Sequence, residues 1–322
     1  MPRRLAIPFA GLLLLGLAWG GAWWVATGLL IDQITAWVAA NNNAEAAVAH
    51  GPIQRGGFPF EVAARVPAVG ISSPGYSATT DSLQLTIQPW APNRIAFQTA
   101  DAVDLSTTLG PKLRIERVTG AVDRTADRRE RLTLDLLAPK GSVPGGQIEL
   151  SAARIETVIT RLLSDPTPVI VSINARELAS SANAEKLDLK LEALWRGPID
   201  LGNPPDLAGW RDSGGEFELR DVVLSNGPAR LSGGAVITLD SALRPAPKGA
   251  VTLQGIKPFM DRLTALGVTS ARDAAIGQTA LTLLAKPGAD GQPEVTMPIA
   301  SRDGWLMVGP LRVARMPPLA FR

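Results

Sequence analysis

The sequence predicts a mainly β fold: an N-terminal transmembrane helix and stalk, then a large curved antiparallel β-sheet domain with a C-terminal helical hairpin insert. Two observations predict it. A long uncharged run opens the chain, and beyond residue 51 most segments alternate apolar with polar residues. Such strands have one wet face and belong to antiparallel sheets, because parallel sheets bury both faces and are apolar throughout.

The opening run carries no charge over residues 5–31 and exceeds the roughly 20 residues that cross a bilayer as a helix. Arg3 and Arg4 precede it, and the next basic residue is Arg55. The positive-inside rule therefore places the N-terminus in the cytoplasm. We expect residues 1–31 to be a single-pass transmembrane signal-anchor that leaves the bulk of the chain on the other side of the membrane.

A cleavable signal peptide is the alternative, because the small residues of 18–22 would suit a signal peptidase. The apolar core of a signal peptide, however, is usually 7–15 residues long and ends at the cleavage site. Here the apolar stretch continues beyond residue 22 to Leu30. The sequence therefore favours a retained anchor.

Two features of the anchor concern its surroundings. Gly16 and Gly20 have the small-xxx-small spacing that lets transmembrane helices approach closely, so a homodimer is one interpretation and the general abundance of Gly in such helices is the other. Half of the eight tryptophans lie towards the outer end of the anchor, where amphipathic rings favour the headgroup region: Trp19, Trp23, Trp24 and Trp37.

The rest of the chain divides into a stalk and a sheet. Residues 32–50 are Ala-rich, without Pro or Gly, and predict a helical stalk. Residues 51–322 predict one β-rich extracytoplasmic domain of twelve to sixteen strands, with a hinge at the Pro-rich segment 197–209 as an alternative. Helices over 258–267 and 271–286 form the hairpin insert, the second capped by Ser270. These few helices can cover only part of the sheet, and we therefore expect the sheet to curl.

Composition excludes several chemistries. The chain has no Cys and one His, His50, so a disulfide framework, a thiolate nucleophile and a His- or Cys-rich metal centre are ruled out. Its 32 basic and 30 acidic residues are balanced, which does not suit a nucleic-acid binder. We find no nucleotide-binding loop, HExxH, EF-hand or nucleophile elbow, and we expect no catalytic residues, no cofactor and no metal.

Four aromatic or sulfur-containing side chains are candidate structural or groove contacts. Phe58 and Phe60 flank a Pro after a Gly pair, which suggests a fixed bend that anchors the stalk to the sheet. Trp305 and Met307 share one face of a short C-terminal hairpin. For Phe58 and Phe60, the sequence allows either a position in the protein core or a contact with a ligand.

The chain resembles a bacterial membrane-anchored family catalogued as domain of unknown function 2125. The resemblance rests on an anchor followed by GGFPF, on LSGGAVITLD, on the two-helix insert and on the closing DGWLMVGPLRVARMPPL, and it covers nearly the whole chain. More distantly, strand repeats on a membrane anchor are similar to AsmA-like envelope proteins, whose β-structures form apolar grooves linked with lipid traffic. The resemblance implies a location in the bacterial inner membrane with a periplasmic bulk, and no catalytic residues.

Three functions remain open at this stage. The first is a non-enzymatic protein that binds or passes lipid, such as phospholipid, along an apolar groove. The second is a structural or interaction module that assembles the envelope with another envelope protein. The third is an extracytoplasmic hydrolase that uses dispersed carboxylates or Ser, although most acidic residues occupy the polar positions of their strands.

Overall fold

The structure, a computed structural model, describes residues 3–43, 46–73, 76–107, 112–126, 129–142, 149–162, 168–180, 183–197, 206–265, 270–288, 290–309 and 311–319. Within these ranges it contains twenty-one strands and four helices. All strand pairs whose register is described are antiparallel. The chain divides into two compact units, unit 1 (Met1–Thr125 and Leu132–Gly145) and unit 2 (Ala126–Arg131 and Gly146–Arg322).

The helices are α1 (Arg3–Asn41), α2 (Leu207–Asp212), α3 (Ile256–Ala265) and α4 (Ala271–Leu284). The first ten strands are β1 (Ala47–Ala49), β2 (Gln54–Gly56), β3 (Val62–Ser73), β4 (Tyr76–Gln88), β5 (Ala91–Thr99), β6 (Val103–Thr107), β7 (Lys112–Ile115), β8 (Arg117–Arg124), β9 (Arg129–Leu137) and β10 (Lys140–Ser142). The others are β11 (Glu149–Ser151), β12 (Arg154–Leu162), β13 (Val169–Ser180), β14 (Asn183–Arg196), β15 (Glu216–Asn226), β16 (Ala229–Leu239), β17 (Pro245–Gln254), β18 (Lys286–Pro287), β19 (Pro293–Arg302), β20 (Trp305–Val308) and β21 (Leu311–Arg315).

Unit 1 is built around the hairpin of β3 and β4, which pair along almost their whole length. The other edge of β3 pairs with β1 and β2. The other edge of β4 is shared, with β6 at its start and β5 at its end. From there β5 continues to β8, and β6 continues through β7 to β10. Both long strands therefore have a different partner at each end.

The C-terminal half of α1 packs on this hairpin. Leu30 of α1 is 4% exposed and lies in a buried cluster with Val62 and Ala64 of β3. The helix ends where Asn42 bonds the backbone of Val48 twice: the Asn42 side-chain amide donates to the Val48 carbonyl oxygen at 3.0 Å, and the Val48 N–H donates to Asn42 Oδ1 at 2.8 Å. These bonds turn the chain from α1 into β1.

Unit 2 contains a meander in which β12, β13, β14, β15, β16 and β17 pair in sequence order. The helical hairpin of α3 and α4 follows β17. The chain then returns as β19, which pairs with β17 on one edge and β20 on the other, and β20 pairs with β21. Consecutive pairing on this scale follows from short turns between strands of matched length.

Two of the three short helices described in unit 2, α2 and α4, begin at side-chain caps. Asp206 Oδ1 accepts from the N–H groups of Ala208 and Gly209 at the start of α2. Ser270 Oγ accepts from the Asp273 N–H at 3.1 Å at the start of α4. These bonds satisfy donors that have no partner inside the helix.

The predicted fold class is confirmed: the chain is mainly β, with a large antiparallel sheet, an N-terminal apolar helix and the helical hairpin. Twenty-one strands are described where twelve to sixteen were expected, because strands of two to five residues such as β1, β2 and β18 are too short to show alternation. The helix ends at Asn41, so the expected helical stalk of 32–50 is shorter. The expected single domain 51–322 and its alternative hinge at 197–209 stay predictions; residue 197 and residues 206–209 lie in unit 2, and residues 198–205 lie outside the described part.

Candidate functional site

One face of the unit 2 sheet carries a row of aliphatic side chains. Paired residues of antiparallel strands lie on the same face. Ile173 pairs with Leu191, and Leu191 pairs with Val222. On the same face, Val171 lies in the neighbouring row with Ala193, and Leu224 lies in the neighbouring row with Leu189. We call this surface the aliphatic face, and its central residues are Val171, Ile173, Leu189, Leu191, Val222 and Leu224.

Helices cover the aliphatic face at two places only among the described residues. At one end, Leu207 and Trp210 of α2 pack with Trp195, Phe217 and Leu239. The Trp210 indole N–H donates to the Arg196 carbonyl oxygen at 2.8 Å and fixes α2 there.

At the other end, α3 and α4 cover β17 and β19. Met260 and Ala274 form a buried cluster with Leu253 and Val295, and Leu253 is 1% exposed. The central residues of the aliphatic face belong to neither of these described clusters and are half-buried. Within the described part of the chain, no helix therefore covers the aliphatic strip between these two places.

The opposite face of the same sheet is polar and ion-paired. Lys190 Nζ donates to Asp221 Oδ2 at 2.7 Å, and this hydrogen bond raises the pKa of Lys190. Arg196 lies 3.3 Å from Glu218, and that hydrogen bond lowers the pKa of Glu218. The sheet thus carries ion pairs on one face and aliphatic side chains on the other, although the buried Leu194, which pairs with Glu218, is an apolar residue on the ion-paired face.

Two predicted contact residues lie on the polar face. Trp305 pairs with Arg302 and Arg315, and the Arg312 guanidinium carbon lies 6.0 Å from the Trp305 ring centroid. Met307 shares that face, because it pairs with Arg312. The structure therefore places Trp305 and Met307 opposite the aliphatic face and does not bring them to it.

The other two predicted contact residues lie in unit 1 beside α1. Phe58 packs edge-on against Trp23, with ring centroids 5.3 Å apart. Trp23 Nε1–H donates to the Glu61 carbonyl oxygen at 2.7 Å, and Trp19 Nε1–H donates to the Pro59 carbonyl oxygen at 2.7 Å. Phe60 is 72% exposed. The turn that carries both phenylalanines is thus bound to α1.

Unit 1 also contains a cavity of about 490 Å³ between β1, β3, β4 and β6. Its lining includes three aspartates and Arg114, whose guanidinium lies 3.0 Å from Asp104. Exposed charges of this kind do not suit an acyl chain, because apolar ligands bury little polar surface. The cavity is therefore a poorer apolar site than the aliphatic face.

Two titratable side chains lie against nearby backbone groups. His50 Nδ1 lies 2.7 Å from the Gly51 carbonyl oxygen. Asp240 accepts from the backbone N–H groups of Arg244 and Ala242 and from Arg244 Nε, and these bonds lower its pKa. Within the described residues, no group of three His, Cys, Asp or Glu side chains is arranged to hold a metal ion.

Comparison with protein families identifies the family to which the chain belongs. A family model described as DUF2125, an uncharacterized protein conserved in bacteria, matches residues 23–317. The chain belongs to this family. The predicted resemblance is thereby confirmed, while similarity to AsmA-like proteins is not shown. No curated protein and no solved structure matches the chain.

Among the described residues, α1 supplies one stretch, Leu14–Asn41, that is long and apolar enough to cross a membrane. Sequence reasoning found this stretch but missed that part of it packs on unit 1. The spacing of Trp23, Thr27, Leu30 and Ile34 would have shown it, because residues three and four apart share one face of a helix.

Proposed function

We propose that the protein is anchored in the bacterial inner membrane by α1, with its N-terminus in the cytoplasm and both units in the periplasm. The length and apolarity of α1 and the arginines at its start support this location. The bacterial family fits it. Gly16 and Gly20 are open, with nothing within 4 Å of an added Cβ, which leaves room for the proposed homodimer contact.

We propose further that the protein is not an enzyme and binds lipid acyl chains on the aliphatic face, as part of envelope maintenance. The observation that carries this proposal is the half-buried aliphatic strip between α2 and the helical hairpin. Its residues are branched aliphatics, so they match the methylene groups of an acyl chain, each of which gains about 0.8 kcal/mol on burial. An anchored protein meets such chains at high local concentration.

A strip of small residues deepens the face. Ala235 and Gly249 pair with each other across β16 and β17 on the aliphatic side. A Cβ at Gly249 would lie 2.1 Å from the Gly234 carbonyl oxygen, so no larger residue fits without moving a strand. Between Leu219 and Ile299, which flank these positions, the surface is therefore low enough to seat a chain.

Native mass spectrometry of the detergent-purified full chain tests the proposal. We expect phospholipid to copurify with the wild type and to be lost from Leu191→Glu, because a carboxylate on the aliphatic face must be desolvated against a bound chain. Lys190→Glu is the matched control, since it adds the same group to the neighbouring position on the polar face. Circular dichroism confirms that both variants fold.

Two results contradict the proposal. Wild type that is free of lipid after mild detergent extraction would favour the interaction module, with another envelope protein on the aliphatic face. Equal lipid loss from Leu191→Glu and Lys190→Glu would show that the bound lipid does not sit on this face.

A further inference from the structure

The helix α1 changes its surroundings part-way along. Leu14, Leu15 and Leu17 are 65–68% exposed, and every residue from Leu14 to Trp19 is exposed on whichever side of the helix it lies. From Trp23 onwards one side is covered, and Thr27 is fully buried. The family match also begins at residue 23. The part of α1 from Trp23 onwards thus packs on β3, and the uncovered part of the helix precedes Trp23.

The length of a bilayer places this change at the membrane surface. A helix rises 1.5 Å per residue, so the stretch from Leu5 to Trp24 is about 30 Å long, the thickness of a hydrocarbon core. At Trp24 the first cation after the N-terminal arginines meets the helix: the Arg55 guanidinium carbon lies 3.6 Å from the Trp24 ring centroid. A Trp with a cation at its ring is typical of the headgroup boundary.

The turn of residues 57–61 lies deeper than that boundary. It is bound to Trp19 and Trp23 by the two indole hydrogen bonds. Trp19 precedes Trp24 by five residues, which is about 7.5 Å along the helix. Interfacial segments bury their apolar side about 5–10 Å into the headgroup and acyl boundary, so this depth is typical of them.

Several polar backbone groups of the turn are hydrogen-bonded within the protein. The N–H groups of Phe60 and Glu61 both donate to the Gly57 carbonyl oxygen, at 3.1 and 2.8 Å. The carbonyl oxygens of Pro59 and Glu61 accept the two indole N–H groups, and Pro59 has no N–H. Polar backbone groups that are paired within the protein can enter an apolar phase at little cost.

A second loop reaches the same end of the sheet. Val62, which follows the turn, pairs with Ile87 of β4. Trp90 lies three residues beyond Ile87, in the loop between β4 and β5, and is 69% exposed. Phe58 and Phe60 are 59% and 72% exposed. We call these three side chains, Phe58, Phe60 and Trp90, the aromatic tip.

We propose that the aromatic tip inserts into the outer leaflet of the bilayer that α1 crosses, so that unit 1 sits directly on the membrane. This inference rests on the proposed membrane anchoring and is independent of lipid binding by unit 2. The occupant is the bilayer because the tip is continuous with the uncovered part of α1. The membrane-embedded part of the anchor then ends near Trp24 rather than at residue 31.

Single-cysteine labelling tests the inference, because the chain contains no Cys of its own. Full-length Phe60→Cys and Trp90→Cys carry an environment-sensitive fluorophore in vesicles of phosphatidylethanolamine and phosphatidylglycerol. We expect both labels to emit at shorter wavelength than in water and to be quenched by lipids with a nitroxide near the acyl carbonyl. The two positions lie on separate loops, so distortion of one loop leaves the other as a test.

Labels at two further positions serve as controls. Tyr76→Cys also replaces an exposed aromatic residue of β4, 44% exposed, but at the opposite end, about 40 Å away at 3.3 Å per residue. Its label should emit as in water and resist the lipid quencher. Leu17→Cys reports the anchor, and its label should be quenched by lipids with a nitroxide deep in the acyl chain.

Each outcome has one meaning. Labels at positions 60 and 90 in water, with the Leu17 label in hydrocarbon, overturn insertion and leave the anchor intact. A shifted emission without quenching by lipid also overturns insertion, because another copy of the protein then covers the tip. A Leu17 label in water overturns the membrane anchoring as well.

Discussion

The end of unit 1 that binds α1 and the aliphatic face of unit 2 are both apolar, but they are completed differently. In unit 1 the long helix α1 covers β3, and two of its indole N–H groups donate to the carbonyl oxygens of Pro59 and Glu61. In unit 2 short helices cover two places and leave aliphatic side chains between them half-buried. Directional bonds specify one partner, whereas a bare aliphatic surface accepts any apolar chain of suitable width.

The largest expected effect compares a covered with an uncovered leucine of unit 2. Leu253→Ala removes a side chain that is 1% exposed beneath α3 and α4 and should lower the free energy of unfolding by about 2–5 kcal/mol. Leu191→Ala should cost about 1 kcal/mol or less in lipid-free protein, because neighbouring solvent fills the space.

Denaturant unfolding of the full chain in detergent, followed by far-UV circular dichroism, measures both leucine variants. Both positions lie in unit 2, so they report on the same transition. Equal and large losses would show that Leu191 is as well covered as Leu253 and that no open strip exists.

A smaller effect tests the bonds between α1 and unit 1. Trp23→Phe keeps an aromatic ring against Phe58 but leaves the Glu61 carbonyl oxygen without its indole donor, which should cost about 1–3 kcal/mol. Hydrogen exchange of the β3 amides near Val62 should accelerate accordingly. Trp37→Phe, at a position 53% exposed on the same helix, should leave exchange unchanged. If both variants behave alike, the indole bond does not hold α1 on the sheet.

The smallest effect concerns the turn between β16 and β17 and depends on pH. Hydrogen bonds from the Arg244 backbone, foremost, and then from its side chain and from Ala242 lower the pKa of Asp240 in the folded protein. Its stabilising effect is therefore present at neutral pH and is lost as the pH falls below about 4, through the folded pKa. Asp240→Asn should lower the Tm at pH 7, and the difference should shrink as the pH falls below about 4. A constant difference would assign the effect to lost geometry rather than to charge.

Alternation predicted which residues share a face, and the register confirms this for Leu187–Leu191 and Glu216–Arg220 of β14 and β15. Caps predicted the helical hairpin, with Ser270 in its expected place. What covers each face could not be predicted, because coverage depends on contacts between residues far apart in the chain. Helix α2 was missed since it is only six residues long and follows a Pro-rich segment.

The candidate site shows the same limit. The aromatic pair Phe58 and Phe60 drew attention by composition, and the structure shows that Phe58 packs against Trp23 and that Trp19 donates to the Pro59 carbonyl oxygen between them. Trp305 and Met307 drew attention for the same reason yet lie on the polar face. A conspicuous side chain does not reveal its face until the register of its strand is known.

The most direct test of acyl-chain binding compares two adjacent positions on opposite faces of β14. Leu191→Cys and Lys190→Cys each carry a fluorophore in full-length, delipidated protein, and a fatty acid with a nitroxide on its chain is titrated below its micelle concentration. The proposal predicts saturable quenching at position 191 and only weak, linear quenching at position 190. Equal, non-saturating quenching at both positions would contradict acyl-chain binding on the aliphatic face.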